Sequence, residues 1–153
     1  MLKKLIQKHV FYLHFSLRFD IIYFMRISII NTKDAPTAIG PYSQGVVAGE
    51  LIFFSGSIPL CPKSGEVVGG NITKQTEQVI ANISALLKAA GIGFGNVIKT
   101  TCFLTSMNDF AEFNEVYAKY FISKPARSTV AVAALPKGVN VEIEVIARVA
   151  ASE

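Results

Sequence analysis

Turn-forming residues divide the chain into a series of short apolar segments, and the order of these segments limits the folds that the chain can adopt. Between residues 26 and 150, strand-like segments alternate with two segments whose apolar residues repeat at helical spacing. The order is strand, hairpin, helix, strand, helix, strand, strand. This order predicts an α+β fold in which two helices cover one face of a sheet.

The two predicted helices are recognised by their ends as well as by their apolar faces. Asn71 is placed to cap the first helix, and Gly91 suits the position just after its end. The second helix follows a short turn and ends before Pro125. The predicted strands are 26–30, 45–48, 51–55, 97–104, 126–133 and 141–150, and the third of them is expected to break at Gly56.

The length of 153 residues suits one domain, residues 26–153, preceded by an extension, residues 1–25. The extension is an upstream mis-start with the true start at Met25, an organelle-targeting segment, or a structural appendage. Charged residues interrupt its apolar runs, so no membrane-spanning helix is predicted there. We expect a cytoplasmic protein, or a mitochondrial one if the extension is a targeting segment.

The basic excess of the chain is concentrated in the extension. Its first 24 residues hold four basic residues and one acidic residue, whereas the chain from Met25 onward holds 11 basic and 10 acidic residues. The body is therefore nearly neutral and carries no basic stripe of the kind that binds nucleic acid. No nucleic-acid partner and no membrane partner is expected.

The body contains no histidine, because His9 and His14 both lie in the extension. A Ser-His-Asp or Cys-His nucleophile system cannot be built without one, and the usual zinc sites lose their ligands. No glycine-rich phosphate-binding motif opens a helix. Cys61 and Cys102 lie in no CxxC pattern and are expected to be free thiols that fill space. The sequence predicts neither a metal nor a cofactor.

The polar residues that remain are suited to binding a carboxylate and orienting a water molecule. Arg127 follows Pro125 at the start of a predicted strand, where a fixed backbone can aim the guanidinium at a planar carboxylate. The alternative is an ordinary surface arginine.

Four other polar residues have both a functional and a plain interpretation. Glu142 and Glu144 share one face of the last predicted strand. In the functional interpretation one of them pairs with Arg127 or holds a water molecule, and in the plain interpretation this face is simply solvated. Tyr42 either lines a pocket or anchors a loop. Asn114 lies among aromatic residues on the second helix, or is merely exposed there.

The chain resembles the Rid family, the reactive-intermediate deaminases also called YjgF proteins, in four segments: IGPYSQG, SGSIP, KTTCFL and PARSTVAVAALPKGVNVEIE. The resemblance runs from about Ile30 to Val149. Its most specific part is the spacing that joins PARS, LPKG and EIE. It implies a chorismate-mutase-like (ferredoxin-like) subunit with a mixed sheet, assembled as a homotrimer with three clefts at the subunit interfaces.

The resemblance also implies roles for individual residues. Arg127 corresponds to the arginine that binds the substrate carboxylate, and Glu142 to the glutamate that orients the attacking water. The other substrate-binding positions that it implies are Tyr42, Ser55, Gly56 (through its backbone), Asn114 and Thr129. Many deaminase members have cysteine at the position of Thr129, so we expect an altered substrate preference. The loop before Pro125 is also several residues shorter than in the best-known bacterial member, which leaves substrate size open.

The function implied is that of a 2-iminobutanoate/2-iminopropanoate deaminase. Such an enzyme hydrolyses the reactive enamines and imines released by pyridoxal-phosphate enzymes to 2-oxo acids and ammonia. The alternative is a non-catalytic small-ligand-binding or chaperone-like trimer of the same family. A third hypothesis, an RNA-directed translation inhibitor, is disfavoured by the near-neutral body.

Overall fold

The computed structural model describes residues 27–150, and the expectations for residues 1–25 lie outside this range. The order of elements is the one predicted from the sequence. Within this range, no helix combines the length and the apolar character that a membrane crossing requires. The elements are β1 (Ile27–Ile30), β2 (Gly45–Ala48), β3 (Leu51–Ser57), α1 (Ile72–Ala89), β4 (Val97–Leu104), α2 (Phe110–Tyr120), β5 (Ala126–Ala131) and β6 (Val141–Arg148), with short 3₁₀ turns at Phe94–Asn96, Met107–Asp109 and Pro136–Gly138.

The strands form one six-stranded mixed sheet in the order β1-β2-β3-β6-β4-β5. Only the pairing of β4 with β5 is parallel, because α2 carries the chain back across the sheet between them. The last strand, β6, lies between β3 and β4 and pairs antiparallel with both. The strand that carries Glu142 is thus central, whereas the strand that carries Arg127 is at the edge.

Both helices pack on one face of the sheet, as the sequence predicts. Alternate residues of β6, from Val141 to Ala147, are buried on this face and belong to one core with residues of α1 and α2. Burying an aliphatic side chain of this kind contributes about 1.5–3 kcal/mol. The intervening residues Glu142 and Glu144 therefore lie on the opposite face, which the helices leave open.

The ends of α1 confirm two local predictions. The Asn71 side-chain oxygen accepts a hydrogen bond of 3.1 Å from the Lys74 amide. Gly91 has a φ of 71°, and the Ile92 amide donates to the Leu87 carbonyl at 3.0 Å. Both ends of the helix thus satisfy backbone groups that the helix itself leaves unpaired.

The predicted break of the third strand at Gly56 is wrong. β3 continues to Ser57 but its register shifts between Phe54 and Ser57, which is a β-bulge. A glycine inside a strand is typical of such a bulge, and the chain resumes pairing when Ser57 lies opposite Ile143.

The open face of the sheet exposes several large apolar side chains. Ile27 and Ile29 on β1 are 72% and 68% exposed, and Phe53 on β3 and Val130 on β5 are 44% and 45% exposed. An apolar surface that spans several strands is typical of a protein-protein contact.

Candidate active site

Arg127 lies on the helix-covered face of β5, opposite Thr100 of β4. Its Nη1 donates a hydrogen bond of 2.9 Å to the Asn114 side-chain oxygen on α2. Its guanidinium lies over the Tyr117 ring, 4.6 Å from the ring centre, and 5.6 Å from the centre of the Phe110 ring. The guanidinium is therefore held by α2 from two directions, unlike that of an ordinary surface arginine.

Tyr117 is itself fixed in place. Its hydroxyl and the Thr100 hydroxyl are 2.8 Å apart and share a hydrogen bond. Burial raises the pKa of the Tyr117 phenol, so the ring beneath Arg127 is neutral over the physiological pH range. Thr100, Tyr117 and Arg127 thus form one chain of contacts from the core to the surface.

These residues line an open cleft of about 440 Å³, which we call the arginine cleft. Its lining carries one guanidinium, one ammonium group and one amide, with apolar groups between them, and it includes no carboxylate among the residues described. Such a lining favours an anionic ligand. The arginine cleft is lined by Asn114, Tyr117, Ala118, Phe121, Ile122, Lys124, Pro125 and Arg127.

Thr129 lies two residues beyond Arg127 on the same face of β5, opposite Cys102. Its hydroxyl is buried and has no hydrogen-bond partner within residues 27–150. Burial raises the pKa of the Cys102 thiol to about 11, so this cysteine is a protonated, space-filling residue as predicted. Cys61 differs, because the Ser64 hydroxyl and nearby backbone amides lower the pKa of its partly exposed thiol.

Glu142 lies on the open face, partly buried beside the bulge of β3. Burial raises the pKa of its carboxyl, and the negative charge of Glu144 raises it further. A methyl group at Gly56 would lie 2.8 Å from the carboxyl carbon of Glu142. Gly56, which has no side chain, therefore leaves the space that the Glu142 carboxylate occupies. The sequence indicated only a contact between its backbone and the substrate.

Tyr42 and Ser55 lie next to Gly56 around a small cavity of about 50 Å³. Tyr42 is 49% exposed, and its hydroxyl accepts a hydrogen bond of 3.3 Å from the Ile39 amide. The Ser55 hydroxyl donates to the Ser43 carbonyl at 2.7 Å, so in this structure it anchors the loop. We call Tyr42, Ser55, Gly56 and Glu142 the glutamate cluster.

Gln44 holds the loop that carries Tyr42, and it was not among the residues predicted for the site. Its buried side-chain amide accepts from the Thr32 amide at 2.7 Å and donates to the Pro36 carbonyl at 2.7 Å, with longer contacts to the carbonyls of Thr32 and Ala35. The sequence feature that could have indicated this role is an amide residue placed directly between a loop with two prolines and an apolar strand. Tyr117 and Lys124 of the arginine cleft were missed as well.

The structure gathers the predicted residues into two groups rather than one. Asn114, Arg127 and the neighbouring Thr129 lie on the helix side of the sheet beside β5. Glu142 lies on the open face against Gly56, and Tyr42 and Ser55 lie beside Gly56 at the bulge, around a cavity that α1 also lines. A pair between Arg127 and Glu142 is absent from this chain, because the sheet separates the two side chains. Residues 27–150 also contain no group of three or more potential metal ligands.

Comparisons with known proteins place the chain in a family. The family model described as Endoribonuclease L-PSP matches residues 32–149. The chain is 50% identical over 120 residues to a mouse protein named 2-iminobutanoate/2-iminopropanoate deaminase, covering 78% of this chain and 89% of that protein. It is 57% identical over 124 residues to a Lactococcus lactis protein named as a regulator, AldR, covering 80% of this chain and 98% of that protein.

Solved structures agree with this assignment. The crystal structure of E. coli TdcF with bound serine has a TM-score of 0.75 and 47% sequence identity, covering 79% of this chain and 98% of that chain. The chain belongs to the Endoribonuclease L-PSP family, also called the Rid or YjgF family, as its sequence motifs indicated. Its six-stranded sheet with two helices is the fold of that family.

Proposed function

We propose that this protein hydrolyses 2-imino acids, such as 2-iminobutanoate and 2-iminopropanoate, to 2-oxo acids and ammonia. The observation that carries the proposal is the Arg127 guanidinium, which Asn114 and Tyr117 hold at the edge of a cleft whose described lining has no carboxylate. The mouse relative bears the name of this activity, and TdcF binds serine, a small carboxylate. Both support a ligand that carries a carboxylate.

In the proposed reaction, Arg127 binds the substrate carboxylate through charge-assisted hydrogen bonds. A water oxygen forms a bond to C2 of the imine, and a proton moves to the nitrogen. The new hydroxyl then gives up its proton as its oxygen forms a double bond to C2, a second proton reaches the nitrogen, and the C–N bond breaks with its electron pair leaving on ammonia. One imino acid and one water thus give one 2-oxo acid and one ammonia. Because an imine already reacts with water, positioning of the two reactants supplies most of the catalysis.

Glu142 is the group proposed to orient that water and to exchange its proton. Burial, with Glu144 as a second cause, raises the pKa of Glu142 toward neutral pH. A general base is most effective when its pKa lies near the working pH. This direction supports a catalytic rather than a purely structural carboxylate.

We further propose that the protein is a homotrimer with the active sites at its subunit interfaces. Arg127 and Glu142 lie on opposite sides of one sheet, so a single chain cannot apply both to one substrate. Packing the apolar open face against a second copy would cover exposed residues such as Ile29 and Phe53. The cleft of one subunit would then meet the glutamate cluster of its neighbour.

The test is the release of 2-oxo acid from 2-iminobutanoate that an amino-acid oxidase generates in the assay. Wild type is expected to accelerate release above the uncatalysed rate. Arg127→Ala is expected to lose at least about a hundredfold in kcat/KM, because charge-assisted hydrogen bonds contribute about 1.5–3 kcal/mol each. The control Lys88→Ala, which removes an exposed cation from the last turn of α1, should behave as wild type. Absence of acceleration by wild type would refute the proposal.

A second candidate function, that of a non-catalytic ligand-binding protein, is favoured by the relative named as a regulator. Under this hypothesis, 2-oxobutanoate binds to wild type while imine hydrolysis proceeds at the uncatalysed rate. Calorimetric titration with 2-oxobutanoate beside the kinetic assay separates the two functions.

A further inference from the structure

We propose that Lys124 is a second anion-binding group of the arginine cleft, and that the preferred substrates are therefore 2-imino acids with an acidic side chain, such as 2-iminoglutarate. This inference rests on the proposed function, since it concerns the substrate of the same cleft.

Lys124 lies close to Arg127 and in the same cleft. The two residues are three positions apart, so their Cα atoms are separated by at most about 10 Å. Both line the arginine cleft, with Pro125 between them. The side chains can therefore reach the two ends of a short dicarboxylate.

The backbone of Lys124 is placed by a defined turn. Its φ is 53°, in the left-handed region that residues other than glycine seldom adopt. Its backbone amide donates a hydrogen bond of 3.0 Å to the Phe121 carbonyl. Pro125 follows directly and restricts the chain further. The turn thus brings a lysine, rather than a glycine or an asparagine, to the rim of the cleft.

The charge and the size of the cleft favour a ligand with two anionic groups. The described lining contains Lys124 and Arg127 and no carboxylate. Within residues 27–150 the ion pair of Arg148 with Glu50 is the sole salt bridge, so both cations of the cleft lack an acidic partner there. Within one subunit, before a neighbouring copy contributes to the site, the cleft of about 440 Å³ also exceeds the size of the three-carbon 2-iminopropanoate.

The kinetic test compares two substrates in each variant. Glutamate oxidase generates 2-iminoglutarate and a general amino-acid oxidase generates 2-iminobutanoate, and the ratio of their kcat/KM values is measured. Lys124→Gln should lower this ratio about fivefold, the effect of an ion pair near the surface, and Lys124→Arg should restore it. Lys119→Gln, which removes an exposed lysine of α2 outside the cleft lining, should leave the ratio unchanged.

An unchanged ratio in Lys124→Gln would overturn the inference while leaving the proposed function intact. A binding measurement tests it even if no imine is hydrolysed. Calorimetry should give wild type a higher affinity for 2-oxoglutarate than for 2-oxobutanoate, and Lys124→Glu should reverse that order. Equal affinities of wild type for the two oxo acids would also overturn it.

Discussion

The arginine cleft and the glutamate cluster are built in different ways. In the arginine cleft, side chains of β5 and α2 hold one another, with Asn114 and Tyr117 on either side of Arg127. In the glutamate cluster, backbone geometry decides the arrangement, through the bulge at Gly56 and the loop that Gln44 anchors. The cleft presents a permanent positive charge, whereas the cluster presents a carboxylate that burial makes harder to ionise.

This difference indicates how each region responds to mutation. Arg127 is held by side-chain contacts, so its function should be lost when its own side chain is replaced. Glu142 is positioned by the backbone of β3, so its function should also be lost when a neighbouring residue such as Gly56 is replaced. Substitutions in the arginine cleft should therefore mainly change ligand affinity, and substitutions in the glutamate cluster should mainly change turnover.

The largest effect is expected from Gly56→Ala. The new methyl group would lie against the carboxyl group of Glu142 and force it to move. A displacement of about 1 Å in a catalytic group costs about a hundredfold in rate. We expect kcat for 2-iminobutanoate to fall by this factor while 2-oxobutanoate binding stays within about twofold, since Arg127 is untouched.

Gly95→Ala is the matched control for that change, because a methyl group there meets open space. Steady-state kinetics and calorimetry on both variants make the comparison. Full activity of Gly56→Ala would mean that Glu142 does not act from its observed position.

The next largest effect is expected from Gln44→Leu. The substitution keeps the bulk of a buried side chain but leaves the Thr32 amide and the Pro36 carbonyl without their partner. Unsatisfied buried groups cost about 1–3 kcal/mol each, so urea unfolding should show that the two unpaired groups lower the free energy of unfolding by about 2–6 kcal/mol. Activity should fall with it, because Tyr42 lies on the same loop. Gln78→Leu changes a partly buried glutamine of α1 whose hydrogen bonds go to Leu60 and Asn82 rather than to that loop, and it should lower stability without a comparable loss of activity.

A smaller effect is expected from Tyr117→Phe, which keeps the ring under Arg127 and removes the hydrogen bond to Thr100. The free energy of unfolding should fall by about 1 kcal/mol. KM should change by less than about threefold, because the interaction of the ring with the guanidinium is retained. Tyr117→Leu removes that ring as well, and a KM for Tyr117→Leu equal to that of Tyr117→Phe would show that the ring does not support substrate binding.

The smallest effect concerns stability at different pH values in Glu142→Gln. The pKa of Glu142 is raised in the folded state, so folding is penalised once the pH rises above the ordinary glutamate pKa of about 4.3 and the carboxyl ionises. The substitution should therefore raise Tm at pH 7 and have no effect near pH 3. Turnover at pH 7 should fall at least as much as in Gly56→Ala, because the carboxylate itself is lost, so the small effect of this variant is the one on stability. A lower Tm at pH 7 would mean that the Glu142 carboxylate is stabilised by the fold.

Several features of the protein could be predicted because they depend on short stretches of chain. The bounds of β4 agree with the predicted segment 97–104, and Asn71 and Gly91 act at the ends of α1 as expected. Capping hydrogen bonds and side-chain periodicity are local properties, so the sequence contains them directly. Arg127 was also identified, because it starts a strand after a proline in a specific family motif.

Other features depend on contacts between distant parts of the chain, and only the tertiary structure decided them. The position of β6 between β3 and β4 and the parallel pairing of β4 with β5 are set by how the helices cover the sheet. The same pairing places Arg127 and Glu142 on opposite faces. The register shift at Gly56 and the long-range hydrogen bonds of Gln44 produce no periodic pattern in the sequence. Each depends on backbone groups that lie far away along the chain.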